Sequence, residues 1–222
     1  MPFIWQKGLD MMELSPRIYR NKGAFVSYPF VVTGTDATQV NMWNRIIIED
    51  IDKILGLYSF DSLPQTKEEP DLFMQSTLYI RYYIKRNDDR FLSIFYTADF
   101  YNPYAAYPTQ AVFTTNIDLV NNRRLYLLEI IGKDIDLSRD ITSWELITHD
   151  MSGQEYSKIV KDYILGLGEE ARRRGFLTAD IIGPGNYLGI FSYITPSRIG
   201  ISISVPNYIG DHAEFEKDID KI

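Results

Sequence analysis

Three stretches of the chain carry side chains whose types and spacing suit binding or catalysis. The first is Asp134 to Glu145, which reads DIDLSRDITSWE. Asp134, Asp136, Ser138 and Asp140 fall at positions 1, 3, 5 and 7 of a calcium-binding EF-hand loop, with the apolar Ile141 at 8 and Glu145 at 12. Oxygen ligands at that spacing can wrap a calcium ion, and calcium is the only cofactor the sequence nominates. Arg139 stands at position 6, where such a loop needs Gly for its sharp turn, so an acidic surface loop is the competing reading. The second stretch, DFYNPYAAYPTQ at 99–110, places Tyr101, Asn102, Tyr104 and Tyr107 in one proline-bounded loop. Tyrosine joins a flat apolar ring to a polar tip, which serves protein or glycan contact. Tyrosine also suits half-exposed strands, and the chain has 16 of them.

The third signal is the pair of histidines. His149 precedes Asp150 and His212 follows Asp211. A histidine oriented by a carboxylate can act as a general base, which keeps a hydrolase as the alternative to a binding role. No serine sits in a G-x-S-x-G elbow, no H-E-x-x-H zinc motif occurs, and Gly183-x-Gly185 lacks the third glycine of a dinucleotide fingerprint.

Composition narrows the classes. The chain of 222 residues is 45% hydrophobic and 24% charged, which is globular rather than disordered. A net charge of −7 argues against a nucleic-acid partner, and the one dense basic run, Arg172-Arg173-Arg174, adjoins Glu169 and Glu170 as a solvated helix end does. With no cysteine, disulfides, thiolate metal sites and Cys nucleophiles are excluded. No apolar run reaches the roughly 20 residues of a membrane-spanning helix. The first fifteen residues, MPFIWQKGLDMMELS, lack the pattern of a signal peptide.

The elements that must position these side chains are dominated by 72–131, a run of strands. Leu78, Ile80, Tyr82 and Ile84 alternate with Tyr79, Arg81, Tyr83 and Lys85, the period of two of a sheet with one buried face. Asn87-Asp88-Asp89 and Asn121-Asn122 are turn sequences between such runs. Residues 24–32 predict an earlier strand, with Pro29 marking an edge or a bulge. Asp36 then caps a helix whose Val40, Trp43, Ile47, Ile51 and Ile54 form one apolar stripe. Residues 57–71 read as a loop and 128–150 as short and irregular. Ser152 and Glu155 open a second helix with Tyr156, Ile159, Val160, Tyr163, Ile164 and Leu167 on one face, weakened at Gly166 and Gly168 and ending by Gly175. A terminal hairpin runs from Tyr187 to Val205. Ile199, Ile201, Ile203 and Val205 make one face, and Gly200, Ser202 and Ser204 make another that is either wet or closely approached. In the tail, Asp211 and Glu214 suggest a cap, with Phe215, Ile219 and Ile222 on a short helical face.

The fold expected is therefore α+β: an antiparallel meander covered by two amphipathic helices, in two closely associated subdomains. The division runs 1–22 (extension), 23–110 (N-terminal subdomain), 111–210 (C-terminal subdomain) and 211–222 (tail).

Specific residues along this order resemble a bacterial family. Tyr28-Pro29, Gly34, and Asn44 with Ile48 resemble its opening strand, glycine turn and helix. Phe113-Thr114-Thr115-Asn116-Ile117-Asp118-Leu119 before Asn121-Asn122-Arg123 resembles its second half, and Tyr187 to Pro206 occupies its closing slot. The family is the domain of unknown function found in the extracytoplasmic part of RsiV-type anti-sigma factors and beside the catalytic domain of PdaC-type peptidoglycan deacetylases. The resemblance implies a non-catalytic module at the bacterial cell surface that binds a lysozyme-like protein or a cell-wall ligand; a cytoplasmic location is the alternative where no leader precedes the chain. Many members carry a Gly-Gly-Ala-His loop where this chain has Asn102-Pro103-Tyr104-Ala105-Ala106-Tyr107.

Overall fold

The computed structural model describes residues 12–34, 36–60, 76–132, 136–147 and 154–221. The protein is α+β, built on two sheets. The first runs β1 (Leu14–Asn21), β2 (Ala24–Val31), β3 (Thr77–Asn87), β4 (Phe91–Tyr101), β5 (Thr109–Asp118) and β6 (Arg123–Leu125), in spatial as in chain order. Every pairing in it is antiparallel except β2 with β3, which is parallel over Ala24 to Val26. The second sheet has the order β7 (Glu145–Ile147), β10 (His212–Asp218), β9 (Arg198–Ser204), β8 (Ile190–Ile194), all antiparallel. The meander expected from the alternation is thus the first sheet, and the terminal hairpin lies in the second.

Helix α1 (Ala37–Leu57) covers one face of the first sheet. Asp36 starts it by accepting the Thr38 amide at 2.9 Å. The predicted stripe is buried at Trp43, Ile47, Ile51 and Ile54, against Leu78, Ile80, Leu92, Ile94, Tyr96 and Ala98 of β3 and β4. Asn44 from the same helix bonds both backbone groups of Val31, accepting from its amide at 2.8 Å and donating to its carbonyl at 2.9 Å. It replaces the strand partner that β2 lacks beyond Val26. The same unpaired side explains Pro29: no ladder bond is due there, so the missing N–H costs nothing. Pro16, opposite Pro29 on the edge strand β1, blunts that edge.

The second sheet buries Ile199, Ile201, Ile203 and Phe215 with a helical layer: α2 (Leu127–Ile131), α3 (Leu137–Asp140), α4 (Gln154–Gly166) and α5 (Glu169–Leu177). The single second helix expected is two. The chain breaks at Gly168, whose φ of 80° is the left-handed region that glycine occupies freely, and Gly175 lies inside α5 rather than ending it. Gly175 is needed there because a Cβ would stand 2.5 Å from the Leu188 side chain. The capping serine at 152 and most of the loop expected at 57–71 lie outside the described residues, while Leu57 still belongs to α1. Two further expectations are corrected. The stretch before residue 22 contains a full strand, β1, and the tail forms β10, not a helix: Ala213 and Phe215 alternate with Glu214 and Glu216 between β9 and β7. By sheet membership, residues 14–125 build the first sheet and 145–218 the second, and residue 110 falls inside β5.

The two sheets meet where Phe95 of β4 packs edge-on against Tyr193 of β8, ring centroids 5.4 Å apart. The small-residue face of β9 serves close approach here. The Tyr193 ring lies over Gly200, and its hydroxyl sits 2.9 Å from carboxylate oxygens of both Glu214 and Glu216. A Cβ on Gly200 would fall 2.0 Å from the ring. Gly200→Ala is therefore expected to destabilise the protein by about 2 kcal/mol through overpacking, read as a lowered urea midpoint with unchanged slope.

Candidate functional site

The tyrosine loop joins β4 to β5 at the end of the first sheet. Asn102 builds it: its side-chain oxygen accepts the Tyr104 amide and its carbonyl accepts the Ala105 amide, each at 2.9 Å. That closes a turn and leaves the aromatic rings outside. Tyr101 is half exposed, while Tyr104 and Tyr107 are 82% and 70% exposed. Tyr107 also lines a cleft of about 390 Å³, with Asp99, Pro108, Thr109 and Gln110 on one side and Asn207 and Asp211 on the other. Tyr101 ends β4 and Tyr104 stands on the loop, and neither lines that cleft.

The cleft walls are preorganised. Asp99 accepts the Gln110 amide at 2.6 Å and is ion-paired with Arg81. Opposite, Asp211 lies at a left-handed φ of 67° and holds the Asn207 amide 3.3 Å from both carboxylate oxygens. The short 3-10 turn Asn207–Ile209 is tied down by Tyr156, whose hydroxyl donates to the Ile209 carbonyl at 3.1 Å, and Tyr208 projects from it 80% exposed. The cleft is thus polar, with the carboxylates of Asp99 and Asp211, the amides of Gln110 and Asn207, and the Tyr107 ring along its walls.

Among the described residues, Asp136, Ser138, Asp140 and Glu145 do not converge on one cation cradle. Asp134 lies outside the described residues. Asp136 caps α3, accepting from the Ser138 amide at 3.1 Å and hydroxyl at 2.5 Å, and those bonds hold its carboxyl below the usual range. Asp140 pairs with Lys217 at 2.7 Å and accepts the Trp144 indole at 3.0 Å; the Lys217 bond leads the groups that keep it low. Glu145 is ion-paired with Arg198. A helical turn, α3, stands where an EF-hand loop would be extended, and no group of three or more His, Cys, Asp or Glu able to hold a metal occurs among the described residues. His149 is outside the described residues. The carboxylate near His212 is not its sequence neighbour Asp211 but Glu214, 3.7 Å from Nε2 on the inner side of the sheet.

Polar groups that periodicity gave no reason to notice sit at the seams. Asp50 on α1 is fully buried, ion-paired with Arg124 and accepting the Thr115 hydroxyl at 2.6 Å. Asp180, also buried, accepts from the Ser192 amide (2.5 Å) and hydroxyl (2.7 Å) and from the Leu127 amide (2.6 Å). Asn116 reaches the Ser192 carbonyl at 2.8 Å, and the Ser93 hydroxyl accepts the Ile194 amide at 2.9 Å. The Asp118-Leu119 and Asn121 signature is structural as well: Asp118 accepts the Val120 and Asn121 amides and closes the hairpin. No described helix is long and apolar enough to cross a membrane.

No protein-family model matches the chain, and no curated protein matches it significantly. Similar solved structures include a member of the DUF3298 family from Bacteroides fragilis, 14% identical, with 95% of this chain and 90% of that one covered at a TM-score of 0.46. A DUF3298 family protein from Pseudomonas aeruginosa is 9% identical, with 97% and 93% covered, also at 0.46. Both of these solved structures belong to a family designated as a domain of unknown function.

Proposed function

We propose that the chain is a non-enzymatic binding module of the bacterial cell envelope, of the kind found in RsiV-type anti-sigma factors and PdaC-type deacetylases, recognising a lysozyme-like protein or cell-wall material at the cell surface. The observation that carries this is the loop of Tyr101, Tyr104 and Tyr107, held open by Asn102 beside the Asp99–Asp211 cleft. Exposed tyrosines gathered beside a polar cleft are the kind of surface that a partner covers, since a ring with a polar tip contributes both contact area and a hydrogen bond. The resemblance of the Tyr28-Pro29, Asn44 and Asp118-Leu119 segments supports the same reading.

The test is retention on the immobilised chain of lysozyme, muropeptides and an envelope extract. Saturable retention without turnover is expected, with Tyr104→Ala and Tyr107→Ala each weakening it about tenfold, the effect of losing one interfacial aromatic. Both rings are exposed, so melting temperatures should not change. Retention indifferent to both substitutions, or none from any source, removes the reading.

A further inference from the structure

We infer that the cleft where the entry to α1 meets the turns at one end of the first sheet is a docking site for the chain's own first eleven residues, with Phe3, Ile4 and Trp5 as the apolar anchors. The tyrosine loop takes no part in this, since it lies at the opposite ends of β4 and β5. The described residues form a cleft of about 770 Å³ here. Its walls come from four places in the chain: Met12 and Glu13 before β1, Trp43 of α1, Asp89 in the β3–β4 turn, and Leu119 and Val120 in the β5–β6 turn. The sheet brings them together. Phe91 is opposite Asp118, which sets the two turns side by side. Val32 donates its amide to the Glu13 carbonyl at 2.9 Å, which holds the approach to β1 against the approach to α1.

The path of the chain names the occupant. Residues 1–11 lie outside the described ones, and Met12, which follows them, is itself part of the cleft wall. The Asn87 side chain donates to the Met12 carbonyl at 2.9 Å and fixes the point of entry. Trp5 is seven residues from Met12, a tether of at most about 24 Å, so the anchors stay beside the cleft at high effective concentration.

Composition matches on two counts. The segment reads MPFIWQKGLDM, with three bulky apolar residues in a row and Lys7 two positions beyond them. Trp43, Leu119 and Val120 present apolar surface to the first, and Val120 is 67% exposed to solvent or to whatever covers it. Glu13 and Asp89 present charge to the second. Neither carboxylate has a hydrogen bond or ion pair among the described residues, whereas Asp88 beside them is taken by the Arg90 and Phe91 amides and by Arg86. Burial of the three apolar side chains supplies most of the gain, and the pairing of Lys7 sets the direction in which the segment lies.

The chain has no cysteine, so engineered pairs report proximity without interference. In the full chain, Ile4→Cys with Val120→Cys is expected to close a disulfide within one molecule about tenfold faster than Ile4→Cys with Val32→Cys. Val32 is about half exposed and adjoins Thr33 of the cleft without lining it, so it controls for the tether. Thermal unfolding is the second readout: Trp5→Ser should lower the melting temperature by about 5 °C. Equal rates for the two cysteine pairs overturn the inference, as does an unchanged melting temperature for Trp5→Ser. A disulfide formed chiefly between molecules also overturns it, and assigns the cleft to the segment of a second copy.

Discussion

Asp50→Ala is expected to destabilise the protein by about 4 kcal/mol and to lower its melting temperature by about 10 °C. Asp50 comes from α1, Arg124 from β6 and Thr115 from β5, so one buried carboxylate ties the covering helix to two strands. Burial pushes the Asp50 carboxyl up, and Arg124 opposes that by favouring its charge. Burial likewise works against the guanidinium, yet Asp50 outweighs it and holds Arg124 above its ordinary range. Removing the carboxylate leaves a mostly buried guanidinium with no counter-charge, which is the costly way to break such a pair. The double variant Asp50→Leu with Arg124→Met removes both charges and should cost less than Asp50→Ala alone. Thermal unfolding of the wild type, Asp50→Leu, Arg124→Met and the double variant closes a cycle. Additive losses would show that the pair is not coupled.

Asp180 is the corresponding hub between the sheets, and Asp180→Ala should cost about 3 kcal/mol. The loss strands the amides of Leu127 and Ser192 in the interior, and it places alanine at a φ of 64°, where a Cβ is disfavoured. Asp180→Asn tolerates that backbone and isolates the effect of charge. Burial raises the Asp180 pKa from 3.8 to about 6, against the lowering effect of the Ser192 and Leu127 bonds. The folded protein therefore keeps this proton to about pH 6, whereas the unfolded chain releases it near 3.8. Stability from this group is full below pH 4 and is lost as pH rises through 6. Asp118 works in the opposite sense. Despite its own burial, the Asn121 side chain and the Asn121 and Val120 amides hold it low, so its contribution is lost as pH falls. Denaturant midpoints of wild type and Asp180→Asn between pH 4 and pH 7 separate the two effects. The wild-type advantage over Asp180→Asn should shrink across that range. A widening gap would mean that the donors around Asp180 outweigh its burial.

Much of the architecture was legible from local pattern. The α1 stripe, the β3–β4 and β5–β6 hairpins and the β8–β9 hairpin each rest on periodicity or turn chemistry within about a dozen residues, and each is where the pattern placed it. The exposure of Tyr104 and Tyr107 follows from the same kind of signal, a short proline-bounded loop that cannot bury three rings on its own.

What tertiary structure decided has one physical cause: partners far away in the chain. Phe215 and Ile219 at a spacing of four read as a helix, yet β9 and β7 supply ladder bonds to His212–Asp218 and draw it into a strand. Leu14–Asn21 has weak alternation and becomes a strand because β2 pairs along its whole length. The acidic spacing at 134–145 matches a cation loop in one dimension, but Lys217 and Arg198, from strands 53 to 77 residues away, claim Asp140 and Glu145. Asp50 and Asp180 look like ordinary surface carboxylates until Arg124, Thr115, Leu127 and Ser192 are folded around them. Phe25 and Tyr79 stack only because the register sets them opposite each other on neighbouring strands. Sequence determined which segments bury a face, because that depends on side-chain period; the fold determined what each polar group and ring confronts, because that energy belongs to pairs.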